Sequence, residues 1–165
     1  TYIRILFGFV YLAVILDAFS RKALGYCISK SLDTELALYA LRMAIQRRIP
    51  QRGITHHSDR GIQYASKDYT DELLKYGFKI SMSRKGNPYD NAKADSFMKT
   101  LKSEEVYLWD YSTFEDVKKR IPYFIDAVYN QKRLHSSLDY LPPNEFEANL
   151  LEKEQKLGPC QFSLT

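Results

Sequence analysis

The chain has 165 residues, 45% hydrophobic and 27% charged, with a net charge of +4 and a pI near 8.9. That length fits one domain with a sizeable core, and the composition suits a soluble globular protein. No apolar run reaches the roughly 18 to 20 residues of a membrane span; the longest, Val10 to Leu16, is strand length and ends at Asp17. No signal peptide is visible, and Thr1 in place of an initiator Met leads us to expect a piece of a longer protein.

The mildly basic total decides little about partners, because distribution matters more. Positive charge concentrates in two stretches, Arg84 to Lys102 and Lys118 to Arg133. Cys27 and Cys160 form neither a disulfide framework nor a zinc pattern, so a reducing, cytoplasmic setting is expected.

In chain order, Tyr2 to Phe7 is short and rich in β-formers, and Val10 to Leu16 reads as a buried strand. Ala18 to Lys22 makes a polar turn, and Ala23 to Ser29 resumes the strand pattern, which together predict an antiparallel meander. The period then changes. Leu36, Tyr39, Ala40, Met43 and Ala44 recur at helical spacing behind Asp33, a suitable N-cap, and Pro50 and Gly53 close the helix. Gly53 to His57 is a short strand that leads to Asp59. Ser66 opens a helix carrying Tyr69, Leu73 and Leu74 that stops at Gly77, and Phe78 to Met82 is a fifth strand. Gly86-Asn87-Pro88 makes a loop, which is either a plain connector or a substrate gate, and Asp90 is a reasonable cap for a third helix to about Ser103. A long amphipathic helix covers about Thr113 to Asn130, and Pro142-Pro143 starts a tail that is at best partly helical. This order predicts an α/β fold, a mixed five-stranded sheet flanked by helices in the order of a ribonuclease-H-like domain.

Asp59 and Asp95 stand in His56-His57-Ser58-Asp59-Arg60-Gly61 and Asn91-Ala92-Lys93-Ala94-Asp95-Ser96-Phe97, with 35 residues between them. Two carboxylates drawn from such remote elements are what a two-metal phosphoryl-transfer site needs, and sites in open α/β sheets form at strand ends such as that of Asp59. Each residue also has an ordinary reading. An Asp before Arg-Gly is a common turn. Asp95 can be part of the solvated face of an amphipathic helix on which Ala94, Phe97 and Leu101 form the apolar stripe. At 100° per residue, Asn91, Asp95 and Lys102 gather on an adjoining face with Lys99 at its edge, a placement suited to a DNA phosphate near a metal-bound carboxylate. His56 and His57 lack the Cys or His neighbours of a zinc site. Tyr129 to Leu138 (YNQKRLHSSL) reads by itself as a helix end with cations suited to the dipole.

Taken together these strings resemble the integrase catalytic core of IS3-type insertion-sequence transposases. The resemblance is carried by Tyr11 to Arg21 and Asp33 to Leu38, by the Asp59 motif with Gln63-Tyr64, and by Ser81 to Asn87. The Asp95 motif, the Tyr129 to Leu138 string and Pro142-Pro143 complete it. It runs from Thr1 to about Glu147, leaving 148–165 as a tail. It implies a ribonuclease-H-like fold, an Asp-Asp-Glu triad using two Mg²⁺ or Mn²⁺ ions, and DNA cleavage followed by strand transfer during transposition. It also implies a bacterial, nucleoid-associated setting and a multimer that holds two DNA ends. Under it Asp59 is the second acidic residue and Asp95 the third. Lys102 matches a basic residue directed at donor DNA, with Lys99 a weaker match, and Arg84 and Lys85 are further DNA-binding candidates. The first Asp of the family lies two residues before Thr1, outside the sequence, and Asp17 matches a different position. The family usually has Glu at the place of Asp95. Asp is shorter by one carbon–carbon step of about 1.5 Å, and a misplacement of about 1 Å can cost roughly 10²-fold. A weak or inactive fragment is therefore expected, although mariner-type transposases close a similar site with Asp. A non-catalytic DNA-binding or assembly module and a ribonuclease-H-like nuclease of other purpose are the competing readings.

Overall fold

The computed structural model describes residues 1–84 and 91–157. Three strands, β1 (Tyr2–Ile5), β2 (Gly8–Leu16) and β3 (Ala23–Ser29), form an antiparallel sheet in the order β1-β2-β3. Tyr2 pairs with Tyr11, and Ala13 pairs with Cys27. The uninterrupted apolar run of β2 follows from its place between two layers. Val10 and Leu12 face one core with Ile3 and Ala23, while Ala13 faces the opposite side with Leu36 and Ala40.

Helix α1 (Thr34–Arg47) covers that second face, starting at Asp33, whose side chain accepts the Leu36 N–H at 3.0 Å. It packs almost backbone to backbone on β3: a methyl added at Gly25 would lie 2.2 Å from the Ala40 carbonyl oxygen. Strands β4 (Thr55–Ser58) and β5 (Lys79–Met82) pair in parallel, joined by the short helix α2 (Ile62–Ala65) and by α3 (Lys67–Lys75). All five expected strands are present. Among the described residues they are bonded as a three-stranded and a two-stranded sheet rather than as one continuous five-stranded ladder. With only four residues each, β1 and β4 offer little ladder to share.

Helix α4 (Ala92–Glu104) and α5 (Phe114–Tyr123) cover the first face, where Phe97, Leu101, Val117 and Ile121 join the main core. The expected cap Asp90 lies outside the described residues, and Asn91 at the cap position makes no side-chain cap bond. Ala94 is exposed rather than buried with the stripe, so the buried contact is narrower, Phe97 and Leu101 with Met98 packed against them. A capping box between Thr113 and Asp116 starts α5. Pro122 then removes one N–H from the helix, and the chain continues to Tyr129 as a π-helical stretch in which Asn130 N–H donates to the Ile125 carbonyl, five residues back. The wider turn brings Tyr129 and Asn130 inward. The buried Asn130 amide accepts from Ala23 N–H at 2.9 Å and donates to the Ala23 carbonyl at 3.0 Å.

The described part of the tail is helical from its start: α6 (Pro143–Leu157) runs past Glu147 without a break. Glu147 anchors it, accepting from Ser20 Oγ at 2.6 Å, Lys22 Nζ at 3.0 Å and the Arg48 guanidinium. Burial raises the Glu147 pKa, but these donors outweigh it and hold the carboxyl below its ordinary value. No helix of the described residues is long and apolar enough to cross a membrane.

A second apolar cluster joins α1 to α3 through Leu38, Leu41, Ile45, Tyr69 and Leu73. His56 of β4 packs on it, with the Tyr69 hydroxyl 3.2 Å from Nε2. Burial, then the neighbouring His57, lower the His56 pKa to about 4. Burial raises the Tyr69 pKa above its ordinary value, so the hydroxyl stays protonated.

Two predictions follow from this packing. Gly25→Ala places a methyl inside the α1 backbone and is expected to lower stability by roughly 3 kcal/mol, read as a fall in the urea midpoint at unchanged slope. His56 binds a proton in the unfolded chain near pH 6.5 but in the folded one only near 4. The unfolded state therefore holds more protons between these values, so stability is full above pH 6.5 and falls as pH drops. Between pH 6.5 and 5 the loss is about 1.5 kcal/mol, with His135 acting in the same direction. Urea melts of His56→Gln should show a flatter pH dependence over that range.

Candidate active site

Asp59 follows β4 directly, and several bonds brace that strand end. Ser83 N–H donates to the Ser58 carbonyl at 2.9 Å, which extends the parallel pairing one step. The His57 ring lies 2.9 Å from Ser81 Oγ through Nδ1 and 3.1 Å from Ser83 Oγ through Nε2. Arg60 Nε donates to the Ser83 carbonyl at 2.8 Å. His56 belongs to the core and His57 to this brace, which explains both histidines without a metal.

The ordinary reading of Asp59 holds for one of its oxygens. Oδ1 accepts the Gly61 N–H at 2.8 Å, an Asx turn. A methyl at Gly61 would sit 2.8 Å from that same oxygen and would push the Asp59 side chain aside. Among the described residues Oδ2 has no hydrogen-bond partner, and the residue is exposed.

Asp95 lies in the first turn of α4, exposed, with no hydrogen bond or ion pair among the described residues. Lys99 is exposed one turn further on, and Lys102 stands seven residues from Asp95, about 10 Å along the same face. The Lys102 ammonium sits 5.5 Å from the centre of the Tyr2 ring.

The start of β1 links the two regions. The Thr1 amine donates to the Leu12 carbonyl at 2.9 Å. Burial lowers its pKa, Lys102 lowers it further, and Asp59 opposes both. Lys102 from α4 thus reaches the start of β1, and Asp95 shares the Lys102 face of the helix. Arg84 follows Ser83 at the braced end of β5, beside the start of the Asp59 turn, while Lys85 lies outside the described residues.

Asp17 is consumed structurally. Its Oδ1 accepts from Phe19 and Ser20 N–H at 2.7 and 2.9 Å, and its Oδ2 accepts from Arg48. Arg60 and Ser83, which brace the strand end at Asp59, stand inside the motifs that carry the resemblance, but the bond between them could not be read there, since a side chain reaching a distant carbonyl leaves no spacing. Among the described residues no three His, Cys, Asp or Glu side chains gather as a metal cage. The carboxylate oxygens of Asp59 and Asp95 are hard donors, and were they to hold a cation they would suit Mg²⁺ or Mn²⁺ better than a softer ion.

The integrase core domain family matches residues 1–88, and a second family of the same description matches residues 76–143. The chain is 43% identical over 147 residues to the transposase of insertion sequence IS904 from Lactococcus lactis, which covers 89% of this chain and 58% of the relative. It is 39% identical to transposase InsF of IS3A from Escherichia coli, covering 89% of this chain and 51% of that protein. The chain thus spans about half the length of the curated relatives it matches. Among solved structures, the HTLV-2 integrase catalytic core in complex with magnesium superposes with a TM-score of 0.64 at 14% identity, covering 88% of this chain and 90% of that one. On the match over residues 1–88, the chain belongs to the integrase core family; it is similar to IS3-type transposases and has the ribonuclease-H-like fold of the integrase catalytic cores it superposes on.

Proposed function

We propose that the chain is the catalytic domain of a transposase, with metal-dependent DNA cleavage and strand transfer as the activity of the parent protein, and that residues 1–147 form its catalytic unit. The observation that carries this reading is the match of residues 1–88 to the integrase core family, supported by Asp59 with one unpartnered oxygen at the end of β4 and by Asp95, Lys99 and Lys102 on one face of α4. Asp59 and Asp95 would hold the cations, joined by the acidic residue that the family places before Thr1. When bound, two such ions sharpen the attacking oxygen and stabilise the leaving oxygen of an in-line displacement.

The protein's own part is positioning. The Gly61 N–H holds one oxygen of Asp59 and leaves the other directed outward for a ligand. Lys102 and Lys99 hold donor-strand phosphate along α4, and Arg84, which follows the end of β5, meets the strand there with Lys85, its neighbour in sequence. DNA is the partner, held at its two ends by a multimer of the parent. The short reach of Asp95 weakens the site without changing its chemistry.

In the parent protein, Mn²⁺-dependent nicking and joining of terminal-repeat DNA is expected. Asp59→Asn should abolish both, followed on a labelled oligonucleotide; activity at the parent level in this variant refutes the assignment. Asp95→Glu restores the missing carbon–carbon step and should raise the rate by up to about 10²-fold. An unchanged or lower rate shows that Asp95 does not sit at the reacting centre.

A further inference from the structure

The flank of α4 turned away from Asp95 borders a groove that the proposed chemistry does not use. From Asp95 the helix turns about 100° to Ser96, 140° to Thr100 and 160° to Lys93, and all three line a groove of about 500 Å³. Its other walls come from Arg21 in the β2–β3 turn and from the segment Arg133 to Ser137 with Tyr140. The sequence motif around His135 is therefore a groove wall.

The charge is uneven. Asp17 is the only carboxylate in the lining, and Arg48 and two backbone N–H groups hold it. Arg133 is balanced by Glu104 at 2.8 to 3.0 Å. Lys93 donates only to the Ala18 carbonyl at 2.9 Å, and Arg21 has no hydrogen bond or ion pair among the described residues. Two cations are thus left uncompensated among the hydroxyls of Ser96, Thr100, Ser136, Ser137 and Tyr140. His135 Nε2 is buried with no partner among the described residues. Guanidinium, ammonium and hydroxyl donors together are the set that binds phosphate oxygens.

The backbone supplies an independent sign. Three described non-glycine residues have positive φ, namely Arg21 (62°), Asp139 (54°) and Tyr140 (59°). Arg21 and Tyr140 line the groove and Asp139 adjoins it. Such conformations cost about 1 to 3 kcal/mol each and cluster where function over-determines the backbone.

We propose that this groove seats the phosphodiester backbone of DNA, as a second contact track on the opposite flank of α4 from the carboxylates. It rests on the reading of DNA as substrate, and it adds Arg21 and Lys93 as phosphate-binding residues with the hydroxyls as supporting donors. The contact is independent of base sequence.

The test uses the full 165-residue chain and a labelled 30-base-pair duplex, followed by fluorescence anisotropy from 50 to 300 mM KCl without divalent metal. Arg21→Asn is the main variant, because Asn tolerates left-handed backbone while the charge is lost. It should melt no lower than the parent chain, bind roughly three- to tenfold more weakly, and lower the slope of log affinity against log salt by about 1. Lys93→Gln should do the same, and Lys102→Gln should weaken binding separately and additively. Unchanged affinity and slope in both Arg21→Asn and Lys93→Gln, beside a loss in Lys102→Gln, overturn the groove and leave the transposase reading intact. Absence of salt-dependent DNA binding by the unmutated chain overturns that reading, and the groove with it. Displacement of DNA by sub-millimolar inorganic phosphate would overturn the DNA assignment, because the groove would then be a small-anion site.

Discussion

The docking of α4 on the antiparallel sheet is the constraint from which the rest of the site follows. Phe97 and Leu101 are buried with Ile3, Val10 and Leu12, and each large apolar side chain contributes about 1.5 to 3 kcal/mol on burial. A helix fixed at two positions one turn apart can no longer rotate about its axis. The bearings of Asp95, Lys99 and Lys102 on one flank, and of Lys93, Ser96 and Thr100 on the other, are therefore set from the core. The same anchor reaches the second groove. The Phe97 ring meets Tyr129 edge-on at 4.7 Å, and Tyr129 meets His135 in the same manner at 5.0 Å.

Tyr129 is available for that stack because of the π-helical stretch after Pro122. A straight α-helix would carry residues 124–130 in another register, whereas the wide turn places Tyr129 beside Phe97 and lets Asn130 complete the hydrogen bonding of Ala23. Asn130 also accepts Asn144 N–H at 2.9 Å through its backbone carbonyl, so one residue ties β3, the end of the π stretch and the start of α6 together. Arg48 and Glu147 fasten α6 from the other side. The strained turn at Arg21 and the left-handed pair Asp139-Tyr140 both lie close to residues of this frame, which gives the surrounding structure the means to hold them.

What could be read from the sequence was whatever has a period or a local partner. The alternating and continuous apolar runs gave the strands, Asp33 gave the start of α1, and the order of elements gave the ribonuclease-H-like class. The π stretch was hidden because its pattern differs from an α-helix by one residue in a single turn. The helical tail was hidden because Pro142-Pro143 reads as a break, although Pro is well suited to the first turn of a helix. Ala94 looked like a core residue because the stripe geometry admits it, and only the width of the actual contact excludes it. Both carboxylates were singled out through their motifs. The brace of His57, Ser83 and Arg60 and the uncompensated Arg21 depend on which distant groups meet, and no spacing records that.

The two acidic residues are held very differently, and this bears on the missing methylene of Asp95. Asp59 is fixed by a bond to Gly61 and by a braced strand end, so it cannot move toward its partner without breaking the turn. Asp95 has no bond of its own, yet its backbone belongs to a helix whose rotation and height are locked by Phe97 and Leu101. A shift of α4 by about 1 Å toward β4 would pull both side chains from a close-packed core, at a cost comparable to creating a cavity there. The shorter carboxylate therefore cannot be compensated by sliding the helix. Only the reach of the side chain at position 95 is free to vary. Under the proposed assignment, the length of that one residue, rather than the stability of the fold, would set how well the two carboxylates share a cation.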